Sequence, residues 1–172
     1  VNKHHTKYSW GMRGTLQSKL KELGMIGNKY IPEDYLTSSI EDRLELLAGL
    51  IDTDGSYASS NNMYEFSQKD EKFTDQFIRL CRSLGFRVTK GKQKNNKFGN
   101  CFRVWVSGEG LESIPVALSR KCARPRKQVK DALRYDTKID YVGIGEYYGF
   151  KISGNQRFIL GNFTVTHNSG KS

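Results

Sequence analysis

One nine-residue stretch constrains this chain more than any other: Leu47-Ala48-Gly49-Leu50-Ile51-Asp52-Thr53-Asp54-Gly55. Leu44, Leu47, Ala48 and Ile51 recur at helical spacing and make one apolar stripe. Ser38 and Ser39 offer an N-cap, and Asp42 stands three residues after Ser39, where a capping box takes Glu or Gln. A helix is expected over residues 40–52, ended by Gly55 with turn chemistry beyond. Gly49 inside it costs about 1 kcal/mol relative to alanine. What it offers in return is close approach of another backbone. Asp52 and Asp54 sit at the C-terminal end, where the helix dipole is negative. An acid there needs a compensating cation or full hydration. Mg²⁺ would supply that charge and prefers oxygen ligands. It could also activate water and stabilise the charge developing on a cleaved phosphodiester. A solvated Asp-Gly turn is the plainer reading of the same residues.

Around this helix the pattern mixes helices and strands. Residues 16–23 suggest a short helix ended by Gly24, and Ile31-Pro32 an extended segment. Residues 63–67 read as an aromatic strand. Residues 72–84 have helical spacing, with Phe73, Phe77, Leu80, Cys81 and Leu84 on one side. Residues 87–94 and 101–107 read as a strand pair around a loop at 95–100. A basic linker at 120–127 leads to residues 129–135, a possible helix. From residue 141 the texture becomes Gly-punctuated strand, at 147–153, 158–160 and 163–166. A domain boundary is expected near residue 138, with an α+β domain before it.

The net charge of +10 is uneven. Residues 82–130 hold 13 Lys/Arg against 2 Asp/Glu, so the whole excess lies in that stretch. Such a concentration suits a polyanion such as DNA, and equally a solvated basic face. Cys81, Cys101 and Cys122 are odd in number and lack metal-ligand spacing, which points to reduced thiols in an intracellular protein. No apolar run approaches the ~20 residues that cross a bilayer. The start, Val1-Asn2-Lys3-His4-His5, carries no initiator Met and no apolar leader, so a soluble piece of something longer is expected.

Residues 47–55, LAGLIDTDG, differ at one position from the signature of LAGLIDADG (dodecapeptide, DOD) homing endonucleases, which this chain resembles. Leu23-Gly24-Met25, residues 28–33 and residues 39–47 resemble the segment before the second motif in intein-embedded members. The resemblance implies helices packed on a curved antiparallel sheet. Two acid-tipped helices would lie in parallel, each giving its last acid, here Asp54, to Mg²⁺ at the scissile phosphates of double-stranded DNA. It implies that Asp52 is structural and that the strands enter the major groove, a fit their dimensions allow. Arg87, Lys90, Lys92, Lys94 and Arg103 are then DNA-contact candidates. A lysine polarises solvent near the metals in this family. Lys90 or Lys92 is the candidate here, and phosphate contact is the equal alternative for both. Only one motif is present, and the family needs two acids, so cleavage is expected to need a first half supplied in cis by a longer chain or in trans by a partner.

The chain's end carries a second chemistry. An Asn can attack its own peptide carbonyl through its side-chain nitrogen, forming a succinimide and breaking the following bond. Intramolecular attack gains effective molarities of ~10⁵ M or more. In Thr166-His167-Asn168-Ser169, His167 can protonate the leaving amine or polarise the carbonyl, and Ser169 is a hydroxyl nucleophile. Residues 147–152, 158–162 and 164–168 together resemble the C-terminal strands of the Hint (Hedgehog/intein) fold. That resemblance implies Asn168 as the cyclising residue, His167 as its assistant and Ser169 as the first residue of the C-extein. Gly149 and Gln156 depart from the acid and the His that many inteins carry. Residues 1–30 hold no counterpart of the N-terminal splicing nucleophile or its Thr-x-x-His segment. Gly170-Lys171-Ser172 matches the end of a P-loop, so the host is expected to be a P-loop NTPase.

The expected organisation is an endonuclease half at 1–138, all-β Hint strands at 139–168 and extein residues at 169–172. The alternatives are a catalytically degenerate DNA-binding insertion and a segment that only supports the splicing domain.

Overall fold

The computed structural model describes residues 14–96, 99–127, 129, 131, 134, 138–146 and 148–168. Two units separate by contact, Val1–Tyr30 and Ile31–Ser172. In the first, helix α1 (Thr15–Glu22) carries Lys19 and Lys21 in its last turn, where cations favour the dipole. The Tyr30 hydroxyl donates to the Leu23 carbonyl at 2.6 Å.

The second unit begins with α2 (Glu33–Leu36), whose N-cap is Pro32. Pro suits a helix entrance because its missing N–H is one the helix leaves unpaired. Next comes α3 (Ile40–Asp54), two residues longer than expected, with Ser39 capping the Asp42 N–H at 3.1 Å. Strands β1 (Gly55–Ala58) and β2 (Met63–Gln68) follow, then α4 (Glu71–Ser83). Asp70 caps α4 by accepting from the Phe73 N–H at 2.7 Å. Then come β3 (Arg87–Lys90), β4 (Lys94–Asn96) and β5 (Gly99–Ser107). The expected loop at 95–100 is instead a hairpin, with Lys94 opposite Cys101 and Asn96 opposite Gly99.

The strands form one antiparallel sheet in the order β1-β2-β5-β3, with β4 on the far end of β5. Strand alternation assigns its faces. Tyr64, Phe66, Val88, Val104 and Val106 turn toward α3 and α4 and are buried. The core closes on Leu47, Ile51, Phe77 and Leu80, all fully buried, and the Phe66 and Phe77 rings stack at 3.9 Å. Each such side chain contributes roughly 1.5–3 kcal/mol of burial. Glu65, Ser67, Arg87, Thr89, Arg103 and Trp105 take the opposite, open face. The mixed helix-and-sheet class is therefore as expected over this part of the chain.

After β5, 3₁₀ turns at Leu111–Ser113 and Ser119–Lys121 carry the chain back beneath the sheet edge. Residues 129, 131 and 134 of the expected helix at 129–135 are not helical, and the remainder lies outside the described residues. The described residues of the expected strand at 147–153 are irregular. A strand needs a paired neighbouring strand, and among the described residues no strand pairs with this segment, where Tyr148 and Phe150 are exposed. The C-terminal part instead holds one hairpin, β6 (Arg157–Ile159) with β7 (Val165–His167). Among the described residues no helix is long and apolar enough to cross a membrane. Cys81, Cys101 and Cys122 are free, and burial pushes the Cys81 thiol well above its ordinary value.

Candidate functional site

Helix α3 delivers two acids to one place and the structure gives them different surroundings. Leu47, Ala48 and Ile51 bury its inner stripe. Gly55 then turns the chain straight into β1. A Cβ there would lie 2.8 Å from the Ile51 Cα, so the strand can leave the helix this closely only with glycine. The Asp52 carboxylate turns back and accepts from the Ala117 N–H at 2.7 Å and the Leu118 N–H at 3.3 Å. Asp54 stays on the surface and accepts from Gln68 Nε2 at 2.6 Å. Gln68, the last residue of β2, reaches it because β2 runs two residues past the Gly55–Phe66 pair.

The negative pole of α3 has its cation, and it is neither a metal nor a nearby residue. Lys121 is 6% exposed. Its Nζ donates to the carbonyls of Ile51 at 2.7 Å, Asp52 at 2.8 Å and Gly55 at 2.7 Å. All three ammonium protons are thus directed at carbonyls around the helix end. The Tyr64 hydroxyl fixes the Lys121 backbone, donating to its carbonyl at 2.8 Å. Burial raises the Tyr64 phenol to about 12, which keeps that donor protonated. Sequence reasoning missed Lys121 and Gln68. Gln68 ends an alternating strand and could have been placed from register. Lys121 has no local signal, being one of five basic residues between 120 and 127 and about 70 positions from the carbonyls it caps.

The lysine candidates lie elsewhere. Lys90 shares the helix-side face with Val88, and its Nζ meets Asp75 at 2.7 Å and Glu71 at 3.0 Å on α4. Burial would depress its ammonium, but those two carboxylates outweigh it and hold the group above its ordinary value. Lys92 is exposed between β3 and β4. Lys94 opens β4, and its side chain is outside the described residues. Arg87 and Arg103 both take the open face, opposite Ser107 and Ser67 respectively.

No group of three or more His, Cys, Asp or Glu suited to a metal occurs among the described residues. Mg²⁺ usually takes one or two carboxylates plus substrate phosphates rather than an all-protein cage. An exposed Asp54 at the end of a rigid helix fits one share of such a site.

At the C-terminal hairpin, His167 is exposed opposite Arg157. The Asn168 N–H donates to the Gln156 carbonyl at 2.8 Å, and its side-chain Nδ2 donates to the Phe150 carbonyl. Phe150 and Phe158 pack edge to face at 4.8 Å. Ser169 lies outside the described residues.

An acid-tipped helix beneath an antiparallel sheet whose open face carries arginines is a frame suited to acting on nucleic acid. Residues 30–135 match the homing endonuclease family, and the chain belongs to it. Membership places it among nucleases that act on DNA. It is also similar to the replicative DNA helicase DnaB of Mycobacterium intracellulare, with 43% identity over 116 residues. That match covers 67% of this chain and 20% of the relative, so the chain spans about a fifth of the protein it resembles.

Proposed function

We propose that the chain is the C-terminal part of an intein of the LAGLIDADG (DOD) type, cutting double-stranded DNA with Asp54 and splicing at Asn168. The observation that carries the nuclease reading is the division of labour at the end of α3. Asp52 is held by the 117–118 backbone, Lys121 caps the helix pole, and Asp54 lies exposed at the helix end beside Gln68. Asp54 would hold Mg²⁺, which when bound supplies the charge that activates water and stabilises the leaving oxygen. Gln68 orients the Asp54 carboxylate, and Lys121 keeps the helix end rigid and its field tolerable. Arg87, Arg103 and Lys92 would meet the duplex, while Lys90 would do so only by leaving its α4 carboxylates. A second acid-tipped helix would come from preceding sequence in cis or from a partner in trans.

The splicing reading rests on the resemblance of residues 139–168 to Hint strands. It is supported by the hairpin that ends at His167 and by the Asn168 N–H that donates to the Gln156 carbonyl at its base. Asn168 Nδ2 would leave the Phe150 carbonyl to attack its own carbonyl, with the His167 imidazole protonating the departing Ser169 nitrogen. Ser169–Ser172 would begin the C-extein of a P-loop NTPase host, to which the helicase similarity lends support.

Two measurements test this. The chain completed with its N-terminal half should nick duplex DNA only with Mg²⁺, and Asp54→Asn should abolish nicking while binding persists. Equal nicking by both proteins sinks the nuclease reading. Binding with no nicking by either identifies a degenerate insertion. Mass spectrometry should show loss of Ser169–Ser172 from the completed protein, blocked by Asn168→Ala.

A further inference from the structure

The open face of the sheet holds one acid among its described strand residues, Glu65, at the middle of β2. On a surface meant for DNA an unpaired carboxylate repels every phosphate near it. Here both of its oxygens are occupied. Oε1 meets Arg103 Nε at 3.0 Å, and Oε2 accepts from Trp105 Nε1 at 3.2 Å. The three side chains are locked from below. The Trp105 indole lies across Gly91, where a Cβ would come within 2.9 Å of the ring, and the Gly91 N–H donates to the Arg103 carbonyl at 2.8 Å.

We propose that Glu65 is a specificity-determining residue, fixing the Arg103 guanidinium as a reader of guanine and withholding it from the phosphate backbone. The proposal rests on the reading of this face as the DNA surface. Glu65 takes the Nε edge of the guanidinium. The Arg103 side chain remains 44% exposed, which leaves the fork of the guanidinium able to reach a ligand on this face. A planar fork with two outward N–H groups matches guanine O6 and N7 in the major groove. The pair is neutral, so Arg103 releases no counterion of its own. A free arginine on a phosphate would add about 0.9 to the salt slope.

The test uses the full chain and a randomised 20-bp duplex library, followed by salt titration on the enriched duplex. Wild type should enrich guanine at one position by roughly five- to a hundredfold, the range a bidentate arginine–guanine pair gives. Glu65→Gln should lose that preference and steepen the salt slope by about 0.9. Arg103→Lys keeps the charge pair and loses the fork, so it should lose the preference with the slope unchanged. It also serves as the test should Glu65→Gln fail to fold. Guanine preference that survives either variant overturns the proposal, as does duplex binding by wild type with no base preference. Absence of any salt-dependent duplex binding by wild type would instead remove the DNA reading of this face, and the proposal with it.

Discussion

Asp52 and Asp54 stand two positions apart on the same helix terminus, yet their neighbours differ in kind. Asp52 accepts two backbone N–H groups and stitches a loop to α3; Asp54 touches a glutamine side chain at the surface. Lys121 makes both tolerable. Removing a charged donor from buried acceptors costs more than an average hydrogen bond, because those carbonyls are left dry and unpaired. Lys121→Met should therefore lower unfolding stability by about 2–4 kcal/mol, read from urea midpoints at constant slope. Asp54→Asn should stay within about 0.5 kcal/mol of wild type, as surface substitutions do. If the two variants are equally stable, the capping role of Lys121 is wrong.

At the level of elements, the junction of α3 with β1 is the tightest point. Gly55→Ala would place a methyl 2.8 Å from one backbone atom and 2.9 Å from another, neither of which can swing aside. The expected loss is about 1–3 kcal/mol, visible as a lower melting temperature with Mg²⁺ absent throughout. Helix α3 was readable in advance because cap and stripe agree, Ser39 with Leu44, Leu47 and Ile51, and α4 because Phe73, Phe77 and Leu80 make a stripe, whereas its Asp70 cap emerges only in the structure. Strand β1 was not. Gly-Ser-Tyr-Ala has turn-like composition, and it is a strand only because β2 lies alongside it. Helix α2 hid behind Pro32, because Ile31-Pro32 reads as an extended segment rather than as a helix entrance. The site was half legible. Asp54 is announced by its own nine residues, whereas Gln68 reaches it through strand register and Lys121 through chain return, and no local pattern encodes Lys121.

For the whole molecule, residues 120–127 are the instructive stretch. Their composition is that of a tether, and their contacts are those of a strap. Besides Lys121 on α3, the Arg124 N–H donates to Asn62 Oδ1 at 3.1 Å, Asn62 Nδ2 returns a bond to the Arg124 carbonyl at 2.9 Å, and Arg126 reaches the Asn61 carbonyl at 3.2 Å. Asn62 is buried at the β1–β2 turn with a φ of 47°, a conformation Asn tolerates better than most residues. A protein ending at residue 127 should thus melt cooperatively near the temperature of the full chain, and one ending at residue 116 should not, by calorimetry on both.

The knot that Lys121 ties has a bearing on how such an element is trimmed or transplanted. The last strand of the five-stranded sheet stops at Ser107, but the acid-bearing helix is not finished until some fourteen residues later, when a lysine from the return path plugs it. Any cut that spares every strand of that sheet and discards the segment just after it leaves the sheet intact and the blade unseated.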